Sequence, residues 1–268
     1  MNIDSSYVNA YDISGIQQSS IEKLGNALAI NKASDDPAGL TIGTELGVER
    51  SSVSQSIDNI NSGIALSNIA QSGLSEQKEL LMNIKDETLK ASNGTLSDED
   101  RGIIAEQINK YIEQYENIAN STTYNGNDLL KTEGTSSDDL SIVESETITS
   151  IEKSDTLSIS NDLKSFMSDF STNEDTRSAF LNTLDQSIDQ IASYQSDFGS
   201  ASIALESSAR SSINTEVQLA TAQSTILDID YSEEVSTFSK SNLLSQIGLI
   251  AQSQANAVQG RSISLLSK

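Results

Sequence analysis

The side chains that could do chemistry in this sequence are its carboxylates. The chain of 268 residues contains no histidine and no cysteine. Ser-His-Asp and Cys-His catalysis, histidine general bases and zinc sites of the common type are therefore excluded. The remaining candidates are three acidic clusters: Asp35-Asp36, Asp98-Glu99-Asp100, and Asp228 with Asp230.

Each acidic cluster lies at or just before the start of a predicted helix. Asp36, for example, is followed by Pro37, and proline suits the first helical turn. A carboxylate at such a position accepts hydrogen bonds from free backbone N–H groups and interacts favourably with the helix dipole. Capping therefore explains the clusters better than catalysis or metal binding, and we expect neither an enzyme nor a cofactor. Gly43 and Gly47 do not predict a phosphate loop, because no strand precedes them.

The overall composition favours a helical protein with thin layers. Aromatic residues make up only 4% of the chain, and there is one proline. With 16 basic and 39 acidic residues the net charge is −23, which argues against binding to nucleic acid or to anionic membrane surfaces. Gln and Ser interrupt every apolar run before the roughly 18 residues of a membrane span, so we expect no membrane insertion.

The segment from Gln218 to Leu266 begins with the acidic residues Asp228, Asp230, Glu233 and Glu234, and then its charge stops. No ionisable side chain lies between Lys240 and Arg261. Apolar residues recur there at roughly helical spacing, yet the predicted helix is apolar or neutral on nearly every face. Because such a helix needs other helices around it, we interpret this segment as an assembly element.

A second weakly charged helix is predicted within residues 1–30. Isolated helices of this length are marginal in water, so we expect it to pack against the C-terminal helix. Two helices alone leave most of their apolar surface exposed, which favours self-association. The residues expected to carry the subunit interface are Ile13, Ile16, Leu24, Leu28, Val235, Phe238, Leu243, Leu244, Ile247, Ile250, Ala251 and Val258.

Two heptad columns predict coiled-coil-like packing in the interior of the sequence. A long helix is expected from Pro37 to about Ser92, with Asn93-Gly94 as its C-cap, followed by a helix that begins at Ser97 with Asp100. A final long helix is expected to start near Thr172 or Asn173. The columns are Leu46, Val53, Ile60, Ser67, Leu74 and Leu81 in the first long helix, and Leu184, Ile191, Phe198, Leu205, Ser212, Leu219 and Ile226 in the last.

The predicted fold is mainly α, with nested long antiparallel helices from both chain ends and a small β-hairpin region at about 124–172. Asn125-Gly126 predicts a turn, and the segments Glu146–Thr149 and Thr156–Ile159 are expected to be strands. The expected domains are a terminal helical domain (1–30 with 231–268) and a long-helix bundle (37–225). Connectors at 31–36 and 226–230 join them, and the expected connector and helix-start residues are Asp35, Asp36, Pro37, Asp228 and Asp230.

The C-terminal segment resembles the C-terminal signature of bacterial flagellins. The residues that carry the resemblance are Leu219 to Tyr231, Glu234-Val235-Ser236, Ser239-Lys240, Leu243-Leu244, Gln246 and Gln254-Ala255-Asn256. Asn31 to Gly39 resembles the N-terminal signature of the same family. The chain departs from the family pattern at Ala29 and Thr225, where Arg is usual, and it lacks the usual proline near Gly260.

The resemblance implies a structural subunit that polymerises into the flagellar filament for motility. The terminal helices would form the inner core of an open helical homopolymer built by non-closing contacts. It also implies an extracellular location, reached through flagellar type III export without a cleaved signal peptide. The implied partners are an export chaperone at the C-terminal helix and the filament cap and hook-junction proteins. A hook–filament junction protein and a secreted monomeric effector or ligand remain as alternatives.

The segment Leu81 to Leu89 aligns with the flagellin helix that animal innate receptors recognise in some members of the family. Asn83 stands where those members have Arg, and Glu87 stands where they have Leu. These changes remove charge complementarity and apolar contact, so we expect weak receptor activation.

Overall fold

The computed structural model describes residues 4–132, 140–143 and 148–266, with side chains from residue 13 to residue 262 inside these ranges. It confirms the predicted mainly α fold, in which long helices from both chain ends pack together and a small β region lies in the middle of the sequence. The elements in the described part are α1 (Asp4–Asn26), α2 (Pro37–Ala91), α3 (Asp98–Ser121), β1 (Thr123–Tyr124), β2 (Asn127–Asp128), β3 (Leu140–Val143), β4 (Ile148–Ile151), α4 (Thr156–Ser165), α5 (Glu174–Leu227) and α6 (Tyr231–Leu266).

Local capping groups set the helix starts that the sequence predicts. At α3, Asp100 N donates to Ser97 Oγ at 3.1 Å and Ser97 N donates to the Asp100 carboxylate at 3.3 Å, which forms a capping box. At α5, Asp175 N donates to Asn173 Oδ1 at 2.9 Å. Both starts are therefore confirmed.

The end of α2 is also confirmed, but its cap differs from the expected one. Gly94 does not adopt the left-handed conformation that a glycine C-cap uses. Instead the Arg101 guanidinium donates to Ala91 O at 3.1 Å and to Asn93 O at 3.2 Å. A cation from the next helix thus satisfies carbonyl groups at the end of α2 and complements its dipole.

The chain divides into two compact units, a terminal unit (1–51 with 216–268) and a central unit (52–215). The core of the central unit is built from the heptad columns, because every column residue from Ile60 to Leu81 and from Leu184 to Leu205 is fully buried. Lys85 pairs with Asp185 at 2.6 Å beside these columns. The core also includes Ile108, Ile112 and Tyr115 of α3 and the edge-to-face pair Phe170–Phe180, whose ring centroids are 5.4 Å apart.

Among its described residues, the central unit contains two antiparallel hairpins. β1 and β2 are joined by Asn125 and Gly126, whose φ values of 50° and 80° form the predicted tight turn with both residues left-handed. In the second hairpin β3 pairs with β4, and Ile142 of β3 packs onto α2 at Gly63. A Cβ at Gly63 would lie 2.2 Å from Ile142 Cδ1, so a larger residue would force the Ile142 side chain out of this position.

The strand expected at Thr156–Ile159 is wrong, because these residues begin α4. Ser158 N donates to Asp155 Oδ1 at 3.3 Å, so Asp155 is an N-cap. Ile159 and Leu163, four residues apart, are both buried, which is a helical period. The other expected strand is confirmed only over its described part, since Ile148 and Thr149 belong to β4 while Glu146 and Thr147 lie outside the described residues.

A buried polar network holds the start of α4 against α2 and α3. Gln77 Nε2 donates to Thr156 Oγ1 at 3.0 Å and to Tyr115 O at 3.2 Å, and Thr156 Oγ1 donates to Leu130 O at 2.8 Å. The same burial raises the pKa of the Tyr115 hydroxyl. These hydrogen bonds join segments that are far apart in sequence. The buried polar groups find their partners only when α4 lies in this one register.

Candidate assembly interface

All of the interface residues predicted from the sequence except Leu28 lie on α1 or α6, and these two helices pack against each other within the terminal unit as expected. Tyr231, the first residue of α6, donates from its hydroxyl to Leu24 O of α1 at 2.6 Å. Asp230 caps α6, because its Oδ1 accepts hydrogen bonds from Ser232 N at 2.9 Å and Glu233 N at 3.2 Å. The helix start is thereby fixed beside the end of α1.

The two connectors join through backbone hydrogen bonds. Ala29 N donates to Leu227 O at 2.6 Å and Ile229 N donates to Ala27 O at 3.2 Å. Leu28 and Asp228 consequently form an antiparallel bridge, and Leu28 is only half-buried. Ala27 adopts a left-handed φ of 58° at the point where the chain leaves α1.

The carboxylates of the connectors accept hydrogen bonds from backbone N–H groups or, at Asp228, from a side-chain hydroxyl. Asp35 accepts from Asn31 N and Lys32 N at 3.0 Å each, and these bonds hold the pKa of Asp35 below its usual value. Asp36 Oδ1 accepts from Ala38 N at 3.0 Å just after Pro37, and Asp228 accepts from the Ser224 hydroxyl. Across the described residues no group of three His, Cys, Asp or Glu side chains is arranged to hold a metal ion. Asp36 and Asp230 accept from backbone N–H groups at helix starts, whereas Asp35 accepts from two residues that precede it and so closes the turn before α2.

A close approach of α2 to the end of α5 was missed by the sequence reasoning. A Cβ at Gly43 would lie 2.7 Å from Leu227 Cδ2, so glycine lets the two helices meet. Gln223 fixes this contact, since its Nε2 donates to Gly43 O at 3.1 Å and its Oε1 accepts from Arg50 Nη1 at 3.0 Å. The sequence signal for this contact was a glycine at every fourth position, Gly39, Gly43 and Gly47, which places all three on one face of α2.

The apolar side chains of α6 remain exposed although the helix packs on α1. Phe238 is half-buried, whereas Ala251 is exposed. We call the most exposed large residues the apolar α6 surface: Leu243 (59% exposed), Leu244 (55%), Ile247 (60%), Leu249 (69%), Ile250 (62%) and Val258 (61%). The interface predicted from sequence omits Leu249, although the charge-free run around it is the signal that would have included it.

The apolar α6 surface extends around the helix instead of forming one stripe. At about 100° per residue, Leu244 and Leu249 are roughly 140° apart around the axis. Val235, at the beginning of the same helix, is 47% exposed. Of the predicted interface residues on α1, Ile16 is 49% exposed, whereas Ile13 and Leu24 are half-buried. A single neighbouring helix can therefore not cover this surface.

None of the helices in the described part of the chain is both long enough and apolar enough to cross a bilayer. The apolar α6 surface is interrupted by Ser245, Gln246, Gln252 and Ser253. Its polar spacers suit contact with other protein helices, which supply hydrogen-bonding partners and apolar area together.

The two residues of the predicted receptor segment are in the central unit on α2. Asn83 is half-buried and lines a groove of about 390 Å³ together with Glu79 of α2 and Gln114 of α3. Glu87 is also half-buried, and its Oε1 accepts from Lys90 Nζ at 2.7 Å. The groove is lined by acidic, amide and apolar side chains, and no basic side chain lines it.

The family model of the bacterial flagellin N-terminal helical region matches residues 9–135, and that of the C-terminal helical region matches residues 181–266. Flagellin A of Helicobacter mustelae is 39% identical over 113 residues, 42% of this chain and 23% of the relative. Flagellin C of Vibrio anguillarum is 36% identical over 124 residues, 46% of this chain and 32% of the relative. The chain thus spans less than a third of the length of these two relatives, 23% and 32%. By contrast, a flagellin of Halalkalibacterium halodurans is 27% identical over 261 residues, 93% of both chains.

Solved structures share the fold. A protein from Vibrio parahaemolyticus described as flagellar hook-associated aligns over 72% of this chain and all of its own, with a TM-score of 0.65 and 17% identity. The crystal structure of Bacillus cereus flagellin aligns over 58% of this chain and 88% of its own, with a TM-score of 0.51 and 21% identity. Because family models match both ends of the sequence and a flagellin aligns along almost all of it, the chain belongs to the bacterial flagellins.

Proposed function

We propose that this chain is the structural subunit of a flagellar filament outside the cell, and that copies assemble through α1 and α6. The observation that carries the proposal is the apolar α6 surface, whose six residues are 55–69% exposed in the single chain. The alignment with a flagellin along 93% of both chains supports the same role for the whole chain. The filament-core domain would comprise residues 1–30 and 231–268, with 31–36 and 226–230 as connectors and 37–225 as the second domain.

Burial of this surface favours association without electrostatic opposition. Covering the exposed part of one Leu or Ile side chain contributes roughly 1 kcal/mol. Association costs roughly 4–15 kcal/mol, so contacts with several neighbours are needed for a stable assembly. The spread of the residues around α6 suits that requirement, because different faces can meet different copies in an open helical polymer. Residues 241–260 add no charge to the contact.

The proposed partners follow from this surface and from the family. Before assembly, an export chaperone would cover α6, and in the finished flagellum the filament cap and the hook-junction proteins would contact the ends of the polymer. We propose export without a cleaved signal peptide, and a purely structural role with no enzymatic activity. The acidic side chains that give the net charge of −23 would stay hydrated.

A matched pair of substitutions tests the proposal. Ile250→Asp introduces a charge into the apolar α6 surface, and Ile103→Asp makes the same change on α3 at nearly the same exposure, 62% against 65%. Purified protein is concentrated with a precipitating salt and viewed by electron microscopy. We expect filaments from the unmodified chain and from Ile103→Asp, and none from Ile250→Asp. Filaments of normal length from Ile250→Asp would refute the role of α6, and persistent monomers of the unmodified chain would favour a secreted monomeric ligand.

A hook–filament junction protein is the second candidate, since the hook-associated structure gives the higher TM-score and the larger coverage of this chain. At 17% identity this likeness shows the fold alone. The length of the assembly distinguishes the two roles. A filament subunit adds to its own copies indefinitely, whereas a junction protein forms a limited layer, so polymers that stop after a few subunits would favour the junction role.

We also propose weak activation of animal flagellin receptors. Asn83 offers no positive charge, and Glu87 places a carboxylate, paired with Lys90, where an apolar contact is expected. The double substitution Asn83→Arg with Glu87→Leu should raise signalling in a receptor-reporter cell assay at least tenfold over the unmodified chain. An unmodified chain that already signals as strongly as a known agonist flagellin would contradict the proposal.

A further inference from the structure

We propose that the α2–α3 turn carries a site of spontaneous covalent modification, the deamidation of Asn93. The chain contains two Asn-Gly pairs in its described part, Asn93-Gly94 and Asn125-Gly126. A glycine after asparagine favours this reaction because the missing side chain leaves the backbone nitrogen accessible. The two pairs have different surroundings, and these differences select Asn93.

The reaction needs only water as a co-reactant. The backbone nitrogen of Gly94 forms a bond to Cγ of Asn93, and the bond between Cγ and Nδ2 breaks. The departing NH₂ group takes up the proton that Gly94 N gives up, so ammonia leaves and a five-membered succinimide remains. Water then opens the ring at either carbonyl, which yields aspartate or isoaspartate at position 93.

The side chain of Asn93 is prepared for the attack. Its Oδ1 accepts hydrogen bonds from Thr95 N at 3.1 Å and from Thr95 Oγ1 at 3.0 Å. Two donors on the same oxygen draw electron density from Cγ and stabilise the negative charge that develops on Oδ1 during attack. Asn93 and Gly94 are exposed, and the space where a Gly94 side chain would lie contains no atom within 4 Å.

The surroundings of Asn125 resist ring closure. Asn125 and Gly126 form the two-residue turn of a hairpin, between the paired residues Tyr124 and Asn127. Both turn residues are held at positive φ, 50° and 80°. Formation of the ring requires the Asn backbone to rotate, and that rotation would separate the strands on either side. We therefore expect Asn93 to react several-fold faster than Asn125 in the folded chain.

The two products affect the turn differently. Aspartate keeps an oxygen acceptor for Thr95 and leaves the backbone unchanged. Isoaspartate adds a methylene group to the main chain, which displaces Asn93 O, the acceptor for Leu96 N at 3.2 Å and for Arg101 Nη2 at 3.2 Å. Isoaspartate thus releases part of the Arg101 cap at the end of α2, and the modification would accumulate with the age of the protein.

The test follows the reaction in the folded full-length chain at pH 9 and 37 °C by mass spectrometry of tryptic peptides. Cleavage after Lys90 and Arg101 releases residues 91–101, in which Asn93 is the only asparagine. Each conversion adds one dalton, and a protein isoaspartyl methyltransferase assay counts the isoaspartate. We expect a rate at Asn93 at least fivefold above that at Asn125, and near-equal rates for the two sites in a urea-denatured chain.

Two substitutions near the site provide matched controls. Gly94→Ala hinders the nucleophile and should slow the reaction at Asn93 at least tenfold, with little effect on folding because the added Cβ meets no atom. Thr95→Val removes the hydroxyl donor and keeps the backbone donor, so we expect a several-fold slower reaction. An unchanged rate in Gly94→Ala, or faster loss of ammonia at Asn125 than at Asn93 in the folded chain, would overturn the proposal.

Discussion

The central and terminal units use the same heptad pattern with different degrees of burial. Leu74 and Phe198 in the central unit are fully buried, whereas Leu46, Leu219 and Ile226 in the terminal unit are only half-buried. The pattern therefore determines which face of a helix is apolar, while the number of neighbouring elements determines how completely that face is covered. In the central unit α3, α4 and the hairpins contribute to the core, and in the terminal unit a single chain supplies too few elements.

The helix α6 differs from the central unit in charge as well as in burial. The central unit places ion pairs such as Lys85–Asp185 and Lys164–Glu116 beside its core. By contrast, α6 has no ionisable residue between Lys240 and Arg261. A surface that is both exposed and uncharged is costly for a dispersed monomer, which is why we connect the terminal unit with assembly.

The largest expected effect comes from one substitution made in both units. Leu74→Ala in the central unit should lower the free energy of unfolding by about 2–5 kcal/mol, because it leaves a cavity in a fully buried position. Leu249→Ala in α6 should change the stability of the monomer by less than about 0.5 kcal/mol, since this side chain is 69% exposed. Urea unfolding of both variants measures the difference, and similar losses in the two would show that α6 is already buried in the monomer.

A smaller effect is expected from glycine substitutions in the central unit. Gly63→Ala should cost about 1–3 kcal/mol, because the new methyl group would overlap Ile142 and push β3 away from α2. Gly199→Ala is the control, since its Cβ meets no atom and the α5 interior should gain about 0.5–1 kcal/mol. Thermal unfolding followed by circular dichroism compares them, and a shift of the same sign in both variants would contradict the contact between Gly63 and Ile142.

At the terminal unit, removal of a helix cap should have an effect of about 1 kcal/mol. Asp230→Ala deletes the acceptor for Ser232 N and Glu233 N at the start of α6. We expect faster amide hydrogen exchange in the first turn of α6, with the central unit unchanged. Asp230→Asn keeps an oxygen acceptor and should restore most of the protection; equal exchange in all three proteins would show that Asp230 does not cap the helix.

The smallest expected effect is a pH dependence at one carboxylate in each unit. The Ser97 hydroxyl and backbone N–H lower the pKa of Asp100, and the backbone N–H groups of Asn31 and Lys32 lower that of Asp35. A lowered folded-state pKa stabilises the protein above the unfolded value of 3.8, and this contribution is lost as pH falls through the folded-state pKa.

Ser97→Ala separates these two carboxylates. In an NMR titration it should raise the pKa of Asp100 towards its ordinary value and leave Asp35 unaffected. A pKa of Asp100 that does not move in this variant would show that Ser97 is not the cause of the lowered value.

Local signals predicted much of this fold. Pro37, the Ser97–Asp100 capping box and the Asn125-Gly126 turn each define a boundary through neighbouring residues alone, and all three appear in the structure. The alternation at Thr156–Ile159 gave the wrong element because four residues fit a strand and a helix equally well. The Asp155 cap and the burial of Leu163 decide between them, and the second of these depends on tertiary packing.

Contacts between distant segments could not be predicted in this way. The regular spacing of Gly39, Gly43 and Gly47 could be seen in the sequence, but the residue that packs against Gly43, Leu227, lies 184 positions further along the chain. The bond from Gln77 to Thr156 likewise joins α2 to α4 across 79 positions. For the candidate interface, the charge-free run predicted α6, but the exposure of each side chain required the packing on α1.

Helical reconstruction of assembled filaments by electron cryomicroscopy tests most directly whether α6 is the element that holds copies of this chain together. We predict that Leu244, Leu249 and Val258 of each copy are buried against α1 or α6 of at least two neighbouring copies. Residues of α6 that face solvent in the reconstructed filament, with subunits joined only through their central units, would contradict this account.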